Sequence, residues 1–152
     1  MEKYIYFRVD GDHGRYSGLG HIWRSLLLYH ELRKKIKKYK FVFLSRYSEG
    51  IKIIKRKTTA KVLKYNSKTI KKIRFRSDDV VIIDTLGAEK NLLKILNKAK
   101  LKKISFDETN SKYFQNGLII NGIFFAKKKI RKIKKIKVYQ GPKYIILNKE
   151  YK

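Results

Sequence analysis

The strongest constraint on this chain is an alternation along its length: short runs rich in β-branched and aromatic residues are separated by longer stretches with apolar residues at helical spacing. The candidate strands are Tyr4–Val9, Lys40–Leu44, Lys61–Tyr65, Val80–Ile83, Lys103–Phe106 and Gly117–Ile120. Between them the clearest helix is His21 to about Lys38, where Ile22, Leu26, Tyr29, Leu32 and Ile36 share one face. Further helices are expected near Ser48–Lys57, Ser67–Arg74 and Gly87–Lys98. Repeated strand–helix–strand units with right-handed crossovers give an α/β fold with a doubly wound, mostly parallel, Rossmann-like sheet. Several of the strands are apolar throughout, as strands covered on both faces should be. With 152 residues, 43% of them hydrophobic, the chain supplies one core and no interior boundary. Its single proline, Pro142, marks a turn after which a fresh apolar run begins. The expected organisation is therefore a domain over 1–140, with 141–152 opening a linker to something further.

Charge comes next, because a formal net charge of +28 suggests a polyanionic partner when taken alone. Only nine of the 40 basic residues are Arg, the side chain that phosphate and base recognition favours, and Lys and Ile together account for 51 residues. That pattern reads as compositional drift, so nucleic acid is disfavoured as a partner. The densest run, Lys127–Lys137, carries Ile130, Ile133 and Ile136 at every third position and reads as a solvated helix with a narrow buried stripe. Cysteine is absent, which excludes disulfides, thiolate metal sites and cysteine nucleophiles. No window approaches the ~18–20 apolar residues of a membrane span. No signal-peptide core precedes Arg8, so a cytoplasmic protein is expected.

In open parallel sheets the ligand crevice lies beyond the carboxyl ends of the strands. Three candidate strands end in aspartate there: Asp10, Asp84 and Asp107. The connection from Gly11 to Gly20 is long for a strand-to-helix loop and closes on Gly18-Leu19-Gly20-His21 at the start of the clearest helix. Glycines allow close approach, and the helix end offers unpaired N–H groups with partial positive charge. His21 occupies that end and Arg24 shares its face. The helix terminus and the Arg24 cation both disfavour imidazolium, so a neutral His21 acting as general base toward water or a sugar hydroxyl is expected. His13 is a weaker candidate in the same loop, and His30 reads as structural.

The segments Arg8-Val9-Asp10 and Gly18-Leu19-Gly20-His21-Ile22-Trp23-Arg24 resemble the start of the nucleotide-sugar hydrolases of the pseudaminic-acid pathway, with their Arg-x-Asp and Gly-x-Gly-His-x-x-Arg pattern. These enzymes release UDP from UDP-2,4-diacetamido-2,4,6-trideoxy-β-L-altropyranose and are related to GT-B glycosyltransferases. The stretches Val80–Asp84, Ile104–Glu108, Leu118–Asn121 and Gly141–Leu147 agree in order. The resemblance implies the sugar-side, amino-terminal half of a GT-B fold. In it His21 is the catalytic residue, activating water to displace UDP with inversion, and no metal or other cofactor is required. Arg8, Asp10, Gly18, Gly20, Arg24, Asp84, Asp107 and Asn121 form the implied substrate-binding set. Ser25 stands where the family often has cysteine, and Thr85-Leu86 where it often has His-Tyr. The nucleotide would be gripped by a second domain, which implies a UDP-sugar substrate and leaves three readings of this chain open: a fragment or degenerate gene, one half of a two-chain enzyme with a separate nucleotide-binding chain as partner, or a domain reused for binding. Two alternatives use the same residues differently: the acceptor-side half of a glycosyltransferase, and a non-catalytic polyanion-binding module.

Overall fold

A computed structural model of the chain describes residues 2–14, 18–86, 89–106, 113–122 and 135–146. Its elements run in the order β1 (Lys3–Val9), α1 (Gly20–Lys35), β2 (Tyr39–Ser45), α2 (Ser48–Lys57), β3 (Lys61–Lys64), α3 (Ser67–Lys72), β4 (Val80–Asp84), α4 (Lys90–Lys98), β5 (Lys102–Phe106), β6 (Gly117–Asn121) and β7 (Ile136–Gln140). Among the described residues the seven strands form one sheet in the order β3-β2-β1-β4-β5-β6-β7, and every neighbouring pair is parallel. The doubly wound Rossmann-like fold expected from the sequence is the observed one. The chain winds outward from β1 through β2 to β3, then crosses back to lay β4 on the other side of β1. The two halves of the sheet therefore diverge between the carboxyl ends of β1 and β4, the place where such folds bind ligands.

The period of two along each strand divides the core cleanly. Ile5, Phe7 and Val9 of β1, with Phe43 and Ile82, pack against Ile22, Leu26 and Tyr29 of α1 and Ile54 of α2. Tyr6, Val42, Leu44, Val81 and Ile83 face the other way, onto Ile70 of α3 and Leu92, Leu93 and Leu96 of α4. Each such side chain taken fully out of water contributes about 1.5–3 kcal/mol. On the α1 side the rings of Phe7 and Phe43 stack at 4.7 Å, and Tyr29 meets Phe41 edge-on at 5.2 Å. A buried acid secures the lower end of the sheet: Asp79 accepts the Tyr4 amide at 2.9 Å and the Arg76 amide at 3.0 Å, tying the turn before β4 to the start of β1. No helix among the described residues is long and apolar enough to cross a membrane.

Three boundaries differ from the periodicity. Helix α1 ends at Lys35, because residues 36–38 turn the chain so that Tyr39 can enter β2. Helix α3 ends at Lys72, with Ile73 extended at its C-cap; Ile73 and Phe75, two apart, both reach the α3/α4 core. Helix α4 begins at Lys90. The larger correction concerns Ile136, expected as part of a helical stripe. It starts β7, and Ile136 and Val138 pack toward the α4-side cluster at strand spacing. Most of that expected helix, 127–134, lies outside the described residues. After β7, Gly141 takes a φ of +119°, a 3-10 turn forms over Pro142–Tyr144, and Ile146 packs back onto the α1-side core.

Candidate functional site

The site is built around the last residue of β4. Asp84 follows Val80 and Ile82 in parity, so it points to the α1 side, and its strand position pairs with Val9 at the end of β1. Helix α1 presents three residues to it at the i, i+3, i+4 spacing that places side chains on one face. His21 Nδ1 lies 2.7 Å from Asp84 Oδ1, Arg24 Nε donates to Oδ2 at 2.9 Å, and the Ser25 hydroxyl donates to Oδ2 at 3.3 Å. Arg24 also donates a second bond, through Nη2, to Oδ1 at 2.5 Å. The carboxylate is 1% exposed, whereas the His21 side chain keeps 16%. Burial pushes the Asp84 carboxyl up, but the hydrogen bonds from Arg24 and His21 outweigh it and hold the group below its ordinary value.

Because Asp84 is ionised it can only accept, so the proton between it and His21 resides on Nδ1. The 3.3 Å approach of Arg24 Nη2 to Nδ1 is then a contact and not a hydrogen bond. In the neutral imidazole the unprotonated ring nitrogen is then Nε2, which has no hydrogen-bond partner among the described residues. An imidazole fixed in this tautomer by a buried carboxylate has the geometry of a general base.

A second polar network sits on the opposite face of the sheet. Arg8, 1% exposed, forks onto both oxygens of Asp10 at 2.6 Å each and reaches Glu89 Oε1 at 2.9 Å. Asp10 also accepts the Arg46 amide at 2.8 Å, and Glu89 is bound by the Arg46 guanidinium and by the Tyr65 hydroxyl at 3.0 Å. The Arg8 guanidinium lies 3.7 Å from the centre of the Tyr65 ring. Burial lowers the Arg8 pKa, and the carboxylates of Asp10 and Glu89 more than restore it, so the cation is secure. These bonds join the carboxyl ends of β1, β2 and β3 to the entry of α4.

The loop glycines fall into two kinds. Gly18 takes a φ of +46°, a left-handed conformation that glycine tolerates, and a Cβ on Gly20 would meet nothing within 4 Å among the described residues. By contrast, a Cβ on Gly11 would lie 2.4 Å from Ile22, and one on Gly50 would lie 2.7 Å from the Gly11 carbonyl oxygen. The first pair leaves room at the mouth of the site; the second lets α2 and the loop close against α1. The residue before α1, Leu19, supplies no side-chain cap, and the first turn carries no acid.

Of the expected set, His21, Arg24 and Asp84 come together, with Gly20 at the helix start, while Arg8 and Asp10 bind each other and brace the strand ends. Asn121 is buried at the end of β6, two strands from Asp84, and its carbonyl accepts the Gly141 amide at 3.0 Å. At about 4.8 Å per strand it stands roughly 10 Å from the Asp84 cluster. Asp107 lies outside the described residues. His13 pairs with Glu49 at 2.7 Å on the surface, and His30 is exposed beside Tyr29. Sequence reasoning missed Ser25, Arg46 and Glu89. Ser25 was signalled by its four-residue spacing from His21, and Arg46 and Glu89 by their places just beyond a strand and just before a helix.

No family model matches the chain. It is similar to an uncharacterized protein of Methanocaldococcus jannaschii, 34% identical over 143 residues that cover 88% of this chain and 29% of that protein. The chain thus spans less than a third of the length of the relative it matches.

Proposed function

We propose that this chain is the sugar-side domain of a nucleotide-sugar hydrolase, acting on a UDP-linked amino-deoxy sugar of the kind used in surface-glycan synthesis, with His21 as the general base. The observation that supports this most directly is the buried Asp84 holding the Nδ1–H of His21, which leaves Nε2 to receive a proton at the switch point of the sheet. In the reaction, Nε2 takes a proton from water as its oxygen bonds to the anomeric carbon. The bond from that carbon to the β-phosphate oxygen breaks, and UDP leaves as the anion. Arg24 keeps Asp84 ionised and so keeps the base in its working tautomer. The nucleotide is held by a separate domain or partner chain, in keeping with a relative far longer than the region matched.

The test is UDP release from UDP-2,4-diacetamido-2,4,6-trideoxy-β-L-altropyranose, without an acceptor, by this chain together with its nucleotide-binding partner. His21→Ala is expected to lower the rate by about 10²–10⁴. UDP release only when an acceptor sugar is added would instead identify the acceptor side of a glycosyltransferase. No release with or without an acceptor would reject both.

A further inference from the structure

A cavity of about 890 Å3 lies at the pole opposite the candidate site, in the size range of ligand pockets. It exists because the sheet edge is stepped. Strand β2 pairs with β1 from Tyr39 onward, but β3 joins it only from Val42, which lies opposite Lys61. Among the described residues the outer edge of β2 at 39–41 therefore has no strand beside it, and the cavity takes its lining from both faces, with Tyr29 and Arg33 of α1 on one and Ile73 and Arg74 after α3 on the other.

The lining is selective. Arg33, Lys37, Lys40, Lys61 and Arg74 border it. Glu2, the acid that Lys40 binds, also accepts the Tyr4 hydroxyl, and Asp79 is held by backbone amides. Four of the chain's eleven tyrosines line the same cavity, among them Tyr4, Tyr6 and Tyr39. Burial pushes the Tyr6 hydroxyl up to about 12, so it stays a neutral donor. Drift toward lysine codons accounts for scattered lysines. It does not account for two of only nine arginines converging with tyrosines on one concavity. Aromatic faces beside cations suit a flat, uncharged ring that carries a phosphate.

We propose that this cavity binds a nucleotide unit, its base against the tyrosines and its phosphate between Arg33 and Arg74. The unit is either a free nucleotide or one residue of a single strand, and the site does not depend on the hydrolase reading. Fluorescence anisotropy of a labelled oligo(dT) 12-mer on the full chain, with AMP and pyrophosphate as competitors, tests it. Binding is expected to weaken about tenfold or more in Arg33→Ala/Arg74→Ala, with the salt slope reduced by about one, for the one phosphate they hold. Tyr39→Ala is expected to cost roughly tenfold, and thermal melts would show that these variants are folded. Competition by AMP at micromolar concentration assigns the site to a free nucleotide; retention of the oligomer against AMP assigns it to a strand. Four results overturn the proposal: no binding of either probe, equal displacement by pyrophosphate and AMP, equal affinity for duplex DNA, or an equal loss in the remote control Lys94→Ala/Lys98→Ala.

Discussion

At the scale of single residues, Asp84 decides the chemistry available at the switch point. Its carboxylate accepts from three side chains of α1 while almost fully buried, so removing its charge strands Arg24 and His21 together. Asp84→Asn is expected to cost about 3 kcal/mol in denaturant unfolding, the scale for breaking a buried ion pair from one side. Asn also offers an amide N–H, which favours the other imidazole tautomer and moves the proton to Nε2. UDP release should then fall by roughly 10³–10⁴, as for other carboxylate–histidine pairs with the same exchange. A wild-type rate in this variant would remove His21 from the mechanism. The pH dependence has a definite sign. The folded Asp84 carboxyl titrates below its ordinary value of 3.8, so its contribution to stability is complete above that range and is lost as pH falls through it toward the lower folded value. Acid unfolding of the wild type should be steeper below about pH 4 than that of Asp84→Asn. Asp84 was legible in the sequence because it closes an apolar strand, and His21 because glycines precede it at a helix start. Glu89 and Arg46 carried only a signal of position, beside a helix start and a strand end; their pairing was not legible, since their partners come from strands distant in the chain and only the sheet order brings them together.

At the scale of elements, the approach of α2 to the loop after β1 sets the shape of the site. Gly50 belongs to α2, where Ala has the higher helix propensity by about 0.8–1.0 kcal/mol. A methyl there nevertheless meets the Gly11 carbonyl oxygen at 2.7 Å, with Ile22 Cδ1 at 3.2 Å and Ser45 Oγ at 3.3 Å, and a backbone oxygen cannot yield as a flexible side chain can. The steric term should win: Gly50→Ala is expected to destabilise by about 1–3 kcal/mol in chemical denaturation. Gly20→Ala is the contrasting case, with no described residue within 4 Å of the added methyl, and should leave stability unchanged or slightly raised. Equal effects for the two substitutions would refute the packing argument. The helices and first six strands were readable from the alternation of short apolar runs with helical spacing, even in β3, where no residue is fully buried. Strand β7 was not, because Ile130, Ile133 and Ile136 extend a three-residue spacing into it, and its two inward residues, Ile136 and Val138, are too few to announce a strand.

At the scale of the molecule, the charge is distributed unevenly. Asp10, Asp84, Glu49 and Glu89 gather at the carboxyl pole and are bound there by Arg8, Arg24, Arg46 or His13, so the acids compensate the candidate site and leave the excess cations elsewhere. With a formal net charge of +28, the compact state works against its own repulsion, which an unfolded chain relieves by spreading its lysines apart. Raising ionic strength from about 0.01 M to 0.15 M shortens the screening length from roughly 30 Å to 8 Å, so repulsion across the domain is largely removed while the buried pairs at Asp84 and Arg8 are little affected. The melting temperature should therefore rise with sodium chloride over this range. A stabilisation of order 1 kcal/mol would correspond to about 2–4 °C for a domain of this size. Binding of a nucleotide unit at the opposite pole should weaken over the same interval, because phosphate neutralisation releases counterions. Calorimetry and anisotropy in one salt series would read both responses. A melting temperature that stays flat or falls would show that local ion pairs, and not the net charge, govern the electrostatic stability of the fold.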